Sequence, residues 1–472
     1  MKSIIRILLF ICVCVSFSQQ AIAQASTLYF MENIPSRSAL NPGFIPTQKF
    51  YIDLPSFYVG IGNNSFAADD LLKSVNGQTI SAFDKNADYS GFLNVLKPTT
   101  NLRQETRVNI IGFGVRNNQD YFSFGIAERT SSDFNIPKDM VTILLEGVPL
   151  TTASKSYILN TLSVDASTYL ETAFGYSRQI STKLSVGGKV KLLLGQMNTD
   201  MSFTRLSLIG NETTTTLHAA GTMRISLPMN IPAGSDGTPD FKNMDSFSNP
   251  MKFTGMGVSL DAGMAYKAIK DLTISAAITD FGFIRWKKSN WEASMKTDTK
   301  FNNMSFNIND TNSGVEQIAD TLKKAMSYSP NGAGYTTNLA AHIRIGAEYS
   351  LLKNKIGLGM LYDNRIKNNT STSTLMASAN FRPLYWVNAS LSYAFTDNSG
   401  SAIGLGLNLI AGPVNIFFAS DYVPTSFADG IIPKKTKQLN AQVGMSLTFG
   451  HNSKKKALKN MEFPAGTPDI PY

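Results

Sequence analysis

Cysteine is nearly absent. Cys12 and Cys14 sit close to the start and none follows, so no disulfide framework, thiolate metal site or cysteine nucleophile is available beyond them. Histidine is almost as scarce: His218, His342 and His451 are far apart, without metal-ligand spacing. No G-x-S-x-G elbow, H-E-x-x-H pair or phosphate loop occurs. Gly255-x-Gly257, Gly357-x-Gly359 and Gly404-x-Gly406 are strand glycines with no helix start behind them. No enzyme is expected, and no cofactor or metal. Long apolar runs are also missing. After residue 23 no stretch of about 18 apolar residues appears, which excludes helical membrane spans. The formal charge of +9 is spread along the chain, with one basic cluster at Lys454, Lys455, Lys456 and Lys459. A nucleic-acid partner would need a concentrated basic stripe with interleaved aromatics, so none is expected.

The first residues read as a secretory leader. Lys2 and Arg6 are positive, residues 7–17 are apolar, and Ala21-Ile22-Ala23 supplies small residues for cleavage. The mature chain is expected to begin at Gln24, with both cysteines removed and the charge reduced to +7 by the loss of Lys2 and Arg6.

From Tyr51 onward the chain divides into segments of roughly ten residues with period-two alternation, the pattern of a strand with one face in lipid and one in a lumen. Ile403, Leu405, Leu407 and Leu409 alternate with Gly404, Gly406 and Asn408. Leu339, Ala341, Ile343, Ile345, Ala347 and Tyr349 alternate with His342, Arg344 and Glu348. Short turns near 117–119, 179–182, 268–271, 351–354, 382–385 and 411–413 interleave with longer connections at 61–105, 130–165, 199–252, 287–336 and 423–436. Tight turns at one end and long loops at the other are what an outer-membrane barrel requires. The expected fold is an all-β transmembrane antiparallel barrel of about fourteen strands, with both termini in the periplasm. Residues 201–209 and 213–227 are also β-prone. Counting them as membrane strands gives sixteen; the polar run Thr213–Thr216 favours instead an outer hairpin above the bilayer.

Several residue sets follow from this frame. Tyr176, Tyr266, Tyr349, Tyr385 and Trp386 fall at the short-turn ends of strands, where an interfacial aromatic girdle belongs. Glu171, Lys189, Lys191, Asp261, Arg344, Glu348 and Asp421 fall at inward positions, either to pair with one another or to line an aqueous path. Helical pieces are expected in the outer loops: residues 69–75, residues 137–146, and a capping box at Ser313-Gly314-Val315-Glu316 ahead of Ile318, Ala319 and Leu322. The last strand carries Gln442, Gly444, Leu447 and Phe449 in the polar, glycine, apolar, aromatic order of a barrel insertion signal. Residues 450–472 form a basic tail.

Ahead of the first strand, Asn33-Ile-Pro-Ser-Arg-Ser-Ala39-Leu-Asn41-Pro42-Gly43-Phe44 resembles the N-terminal region of FadL-type fatty-acid transporters. It is closer still to related Bacteroidota barrels, which include PorV-type proteins and families of unknown function. The resemblance implies that residues 24–50 form a plug-like segment around Asn41, Pro42 and Gly43, with the barrel over 51–449. It also implies one of two functions. The first is a channel or carrier for small apolar molecules. The second is a non-catalytic partner subunit of an outer-membrane secretion or assembly complex. Expected partners are outer-membrane lipid, the barrel-assembly machinery, and an apolar ligand or an envelope protein.

Overall fold

A computed structural model describes residues 25–451 apart from 76–77, 85–87, 149–152, 212, 235–239, 241–242, 246–251, 288–290, 303–313, 331–333, 369, 398 and 429–431. The leader, Ser313 of the capping box and the tail beyond 451 lie outside the described residues.

Fourteen strands close into one antiparallel ring, the lower of the two counts the sequence allows. They are β1 (Gln48–Asp53 with Ser56–Asn63), β2 (Thr99–Asn117), β3 (Asp120–Pro137), β4 (Ser163–Gln179) and β5 (Leu184–Gly210). Next come β6 (Gly255–Ile269), β7 (Leu272–Trp286), β8 (Tyr335–Asn338 with Ala341–Leu351), β9 (Ile356–Lys367) and β10 (Thr370–Leu384). The ring ends with β11 (Val387–Thr396), β12 (Gly400–Ala411), β13 (Val414–Ser420) and β14 (Gln438–His451). β1 begins at Gln48, inside the segment set apart by the sequence, because Gln48 and Phe50 pair with His451 and Phe449 of β14. Pro55 splits β1: it has no N–H for the ladder and restricts the residue before it. Both halves still lie between β2 and β14. Within the ring every strand has a neighbour on both sides.

Alternation sorts the side chains. Ile403, Leu405, Leu407 and Leu409 face outward and are exposed, while Asn408 is fully buried inside. Leu391, Tyr393, Phe395, Ile343 and Ile345 are likewise exposed on the outer surface. So continuous an apolar exterior has no water-soluble explanation; in lipid it needs no partner. Among the described residues no helix is long and apolar enough to cross a membrane.

The wall is uneven. β2 to β5 run 17 to 27 residues, whereas the other unbroken strands have 7 to 15. A tilted strand of about 9–11 residues spans a bilayer, so β2 to β5 rise well beyond it. β5 stays with β6 only as far as Gly195, opposite Gly255. Its upper part pairs with Thr214–Ser226, which pairs with Trp291–Asn302, which pairs with Met326–Pro330. Lys155–Ile158 covers the other edge of β5. The β-prone stretches around Gly210 are therefore an extension beyond the ring and add no spanning strands.

Helices lie among the long loops. Lys138–Glu146 starts behind Pro137, and Gly314–Ala325 sets Ile318 and Leu322 against the apolar cluster of Leu206, Leu208 and Leu217 under the outer sheet. The helix expected over 69–75 is one turn, Ala68–Leu71; Leu72–Val75 instead forms a hairpin with Gln78–Ser81.

Residues 25–47 lie inside the ring. Leu28, Tyr29, Phe30, Met31, Ile34, Leu40 and Phe44 pack with inward side chains of the wall, including Tyr58, Leu361, Met376 and Phe417. This is the apolar core of the barrel interior.

Candidate functional site

The segment is held by polar groups of the wall. Asp421, just past β13, accepts from Ser26 N–H (2.8 Å), Thr27 N–H (2.7 Å) and Thr27 Oγ1 (2.6 Å), and Asn440 Nδ2 donates to it at 3.0 Å. Gln442 Oε1 accepts from Ala25 N–H at 2.9 Å. Arg382 donates to the Phe30 carbonyl (2.7 Å) and pairs with Glu348. Arg344 donates to the Leu40 carbonyl at 3.4 Å and to Asp363 at 2.9 Å. Lys189 reaches Ser38 Oγ at 3.5 Å. Within the segment, Arg37 donates to the Tyr29 carbonyl and lies 3.8 Å above the Phe44 ring.

The Asn41-Pro42-Gly43 turn is seated against β4 to β7. Asn41 Nδ2 donates to Tyr29 Oη and to the Met264 and Ala276 carbonyls at 3.1–3.3 Å, and Asn41 Oδ1 accepts from Gly43 N–H. Ser177 and Ser185 donate to the carbonyls of Pro42 and Gly43 at 2.8 and 2.7 Å. A Cβ on Gly43 would stand 2.5 Å from the Met264 backbone, so only glycine fits.

Of the seven inward charges read from sequence, Glu171, Lys191 and Asp261 meet in one network. Lys191 Nζ lies 2.8 Å from Asp261 and 2.6 Å from Asp280; Arg129 spans Asp280 and Glu171, and Arg107 reaches Glu171 at 3.1 Å. Three carboxylates meet three cations, and the network is balanced. Lys189, Arg344 and Asp421 contact the segment directly, and Glu348 does so through Arg382.

A second charged layer escaped the sequence reading. Arg365 of β9 pairs with Glu105 of β2 (2.8 Å) and Asp133 of β3 (3.2 Å); Lys367 pairs with Asp133 (3.0 Å) and Asp165 of β4 (2.9 Å). β9 and β2 stand on opposite sides of the ring, so these pairs cross the lumen. The signal was present: Asp363, Arg365 and Lys367 alternate like the residues that were noticed. Asp280 was hidden for a different reason. The ladder slips between Leu260 and Ala262, Asp280 takes φ of 61°, and parity alone misplaces it.

Above the segment lies a cavity of about 660 Å³, within the 300–1,000 Å³ range of small-molecule sites. Its lining includes Arg103, Glu105, Asp133, Arg344, Arg365 and Lys367, and the segment contributes Ser26, Ala39 and Leu40. Most of its lining residues are polar or charged, with apolar surface from Leu40, Ile61, Phe134 and Leu439 among them.

The remaining residue sets lie on the wall. Tyr176, Tyr266, Tyr349, Tyr385 and Trp386 are all exposed and all near the short-turn end. Gly444 of β14 lets the Phe417 ring approach; Phe449 is exposed and stacks on Phe50 at 6.0 Å, and Leu447 pairs with Ile52 and Val414.

A closed antiparallel ring with an apolar exterior and a charged interior defines a membrane-spanning β-barrel of the outer-membrane type. The chain belongs to the family of unknown function DUF5723, whose model matches residues 42–421. No curated protein matches it. Among solved structures it is similar to the toluene transporter TodX of Pseudomonas putida (8% identity, 92% of this chain and 96% of that one, TM-score 0.40). It is also similar to the monoaromatic hydrocarbon channel CymD (9% identity, 90% and 95%, TM-score 0.43) and to a FadL homologue of Pseudomonas aeruginosa (11% identity, 92% and 100%, TM-score 0.39).

Proposed function

We propose that the protein is an outer-membrane channel for small water-soluble molecules, closed by its own N-terminal segment. The short turns and both termini face the periplasm, and the long loops face outward. The observation that carries this reading is the charged cavity of about 660 Å³ bounded by Ser26, Ala39 and Leu40. A cup of that size on the loop side, with a separate stretch of chain beneath it, is the layout of a path with a closure.

The apolar cargo expected from sequence fits this cavity poorly. Burying an apolar molecule among Arg103, Glu105, Asp133, Arg365 and Lys367 would strip water from charges without replacing it. The apolar cluster around Tyr29 and Phe30 inside the ring is already occupied in packing residues 25–47 against the wall. The reading therefore moves to polar solutes.

The test is solute flux in proteoliposomes. The mature chain should be poorly permeable, and a variant lacking residues 25–40 should admit small amino acids. A folded deletion variant that stays sealed would overturn the proposal.

One observation favours the alternative of a partner subunit. The sheet beyond the ring ends in two edge strands, Lys155–Ile158 and Met326–Pro330, each paired on one side only, and such edges accept an added strand from another chain. Crosslinking from Ser156 and Ser329 in cells would recover an envelope protein on this reading and nothing on the first.

A further inference from the structure

We infer that the cup takes zwitterions: compact solutes bearing one ammonium and one carboxylate, such as amino acids and short peptides. The inference rests on the channel reading above and adds the class of solute.

It begins from an unfavourable arrangement. Asp133, Asp165 and Asp200 occupy directly opposed positions on three neighbouring strands, Asp133 opposite Asp165 and Asp165 opposite Asp200. Like charges facing each other across a ladder repel. Local relief is partial: Arg103 of β2 pairs with Asp133 at 3.1 Å, and Arg224 stands opposite Asp200 on the outer strand, though among the described residues the two form no ion pair. The buried Oδ1 of Asp165 has no hydrogen-bond partner.

The compensating charge arrives from across the lumen. Lys367 spans Asp133 and Asp165 at 3.0 and 2.9 Å, and Arg365 reaches the same Asp133 at 3.2 Å. The cup thus has an acidic wall on β3 to β5 and two basic arms on β9, and wall and arms are paired directly.

That geometry sets a rule for entry. A solute that separates the arms from the wall must pair with both sides. An ammonium can take the place of Lys367 at Asp133 and Asp165, while a carboxylate on the same molecule takes the released Lys367 and Arg365. The contacts of Lys367 with Asp133 and Asp165 are exchanged for contacts with the solute, and every charge keeps a partner. Asp133 keeps Arg103 and Arg365 keeps Glu105 in any case, but an anion would leave Asp165 unpaired, a cation would leave Lys367 unpaired, and a neutral sugar would leave both. Stranding a largely buried charge is costly. The cavity has room for a dipeptide, and Asp200 and the free Asp165 Oδ1 supply acceptors for the remaining ammonium protons.

The experiment measures binding and flux separately. Glycylglycine, N-acetylglycylglycine (anion only), glycylglycinamide (cation only) and glucose are titrated calorimetrically into the purified mature barrel, and each is followed into proteoliposomes carrying the variant that lacks residues 25–40. Glycylglycine should bind at least about tenfold tighter than either blocked peptide, K367R should keep the preference and K367M should lose it. Each variant is accepted only if it remains heat-modifiable on gels, as a folded barrel is; should K367M fail to fold, the wild-type and K367R preferences decide. Equal binding of the peptides, or none, overturns the inference. Binding without flux upholds it and refutes the channel reading. Flux of all four solutes at one rate with no binding preference refutes it and leaves the channel reading standing.

Discussion

One carboxylate decides how firmly Ser26 and Thr27 are held. Asp421 accepts from two backbone amides and a hydroxyl of Ser26 and Thr27, all within 2.8 Å, and Asn440 orients it. In Asp421→Ala the two amides lose their acceptor, at about 1–3 kcal/mol for each that stays buried, while the Thr27 hydroxyl keeps Ser392 and Ser420. The segment should then detach more readily while the ring, which needs none of these bonds, stays closed. Limited trypsin digestion reads this directly. Arg37 is packed on the Phe44 ring, so wild-type protein should resist cleavage there and Asp421→Ala should be cut at least several-fold faster. Equal resistance in a folded variant would show that apolar packing alone holds the segment. Asp421 was legible in the sequence as an inward charge. Its partners were not, because they come from residues almost four hundred positions earlier, whose placement depends on the whole ring being closed.

Individual strands were the most legible part of the fold, since period-two alternation records the two faces of the wall directly. The exceptions share a cause. β2 begins at Thr99, some residues before the apolar alternation starts, because its upper part stands above the lipid and needs no apolar face. The short helix at Ala68–Leu71 gives way to a hairpin whose pairing a helical window cannot see. β14 combines both kinds of information. Its alternation marks an outward face at Val443, Met445 and Phe449, but the need for Gly444 arises from its neighbours. A Cβ there would lie 2.6 Å from the Phe417 ring and 2.7 Å from Ser56 Cβ, on the two strands that β14 must join. Gly444→Val should therefore impair the final closure more than it disturbs β14 itself. In refolding into lipid vesicles, the heat-modifiable fraction should fall well below wild type, whereas Ser446→Ala, which removes a buried hydroxyl without a partner, should refold normally. Normal closure by Gly444→Val would mean that Phe417 can swing aside.

At the scale of the molecule two structures share strand β5. Below Gly195 it belongs to the ring and pairs with β6; above, it carries the outer sheet. The junction is tidy: Thr254 N–H donates to the Gly195 carbonyl at 2.7 Å, so β5 and β6 are already hydrogen-bonded where they part. Each unit also has its own apolar core, the ring interior around Tyr29 and Phe30, and the outer cluster around Leu206, Leu208 and Leu217. Separate cores make separable folding units. Replacing residues 198–252 by a four-residue turn should thus leave a closed, heat-modifiable barrel, with thermal stability lowered by only a few degrees. The ring should keep its segment, so trypsin resistance at Arg37 should persist. The cup should change, because the deletion removes Asp200 and the upper part of β5, and any solute preference set by the acidic wall should weaken without vanishing, Asp133 and Asp165 being retained. A deletion variant unable to close would show instead that the outer sheet templates the tall wall of β2 to β5 before the ring forms. The ring would then depend on a structure outside the membrane that the strand pattern, read locally, assigns to a loop.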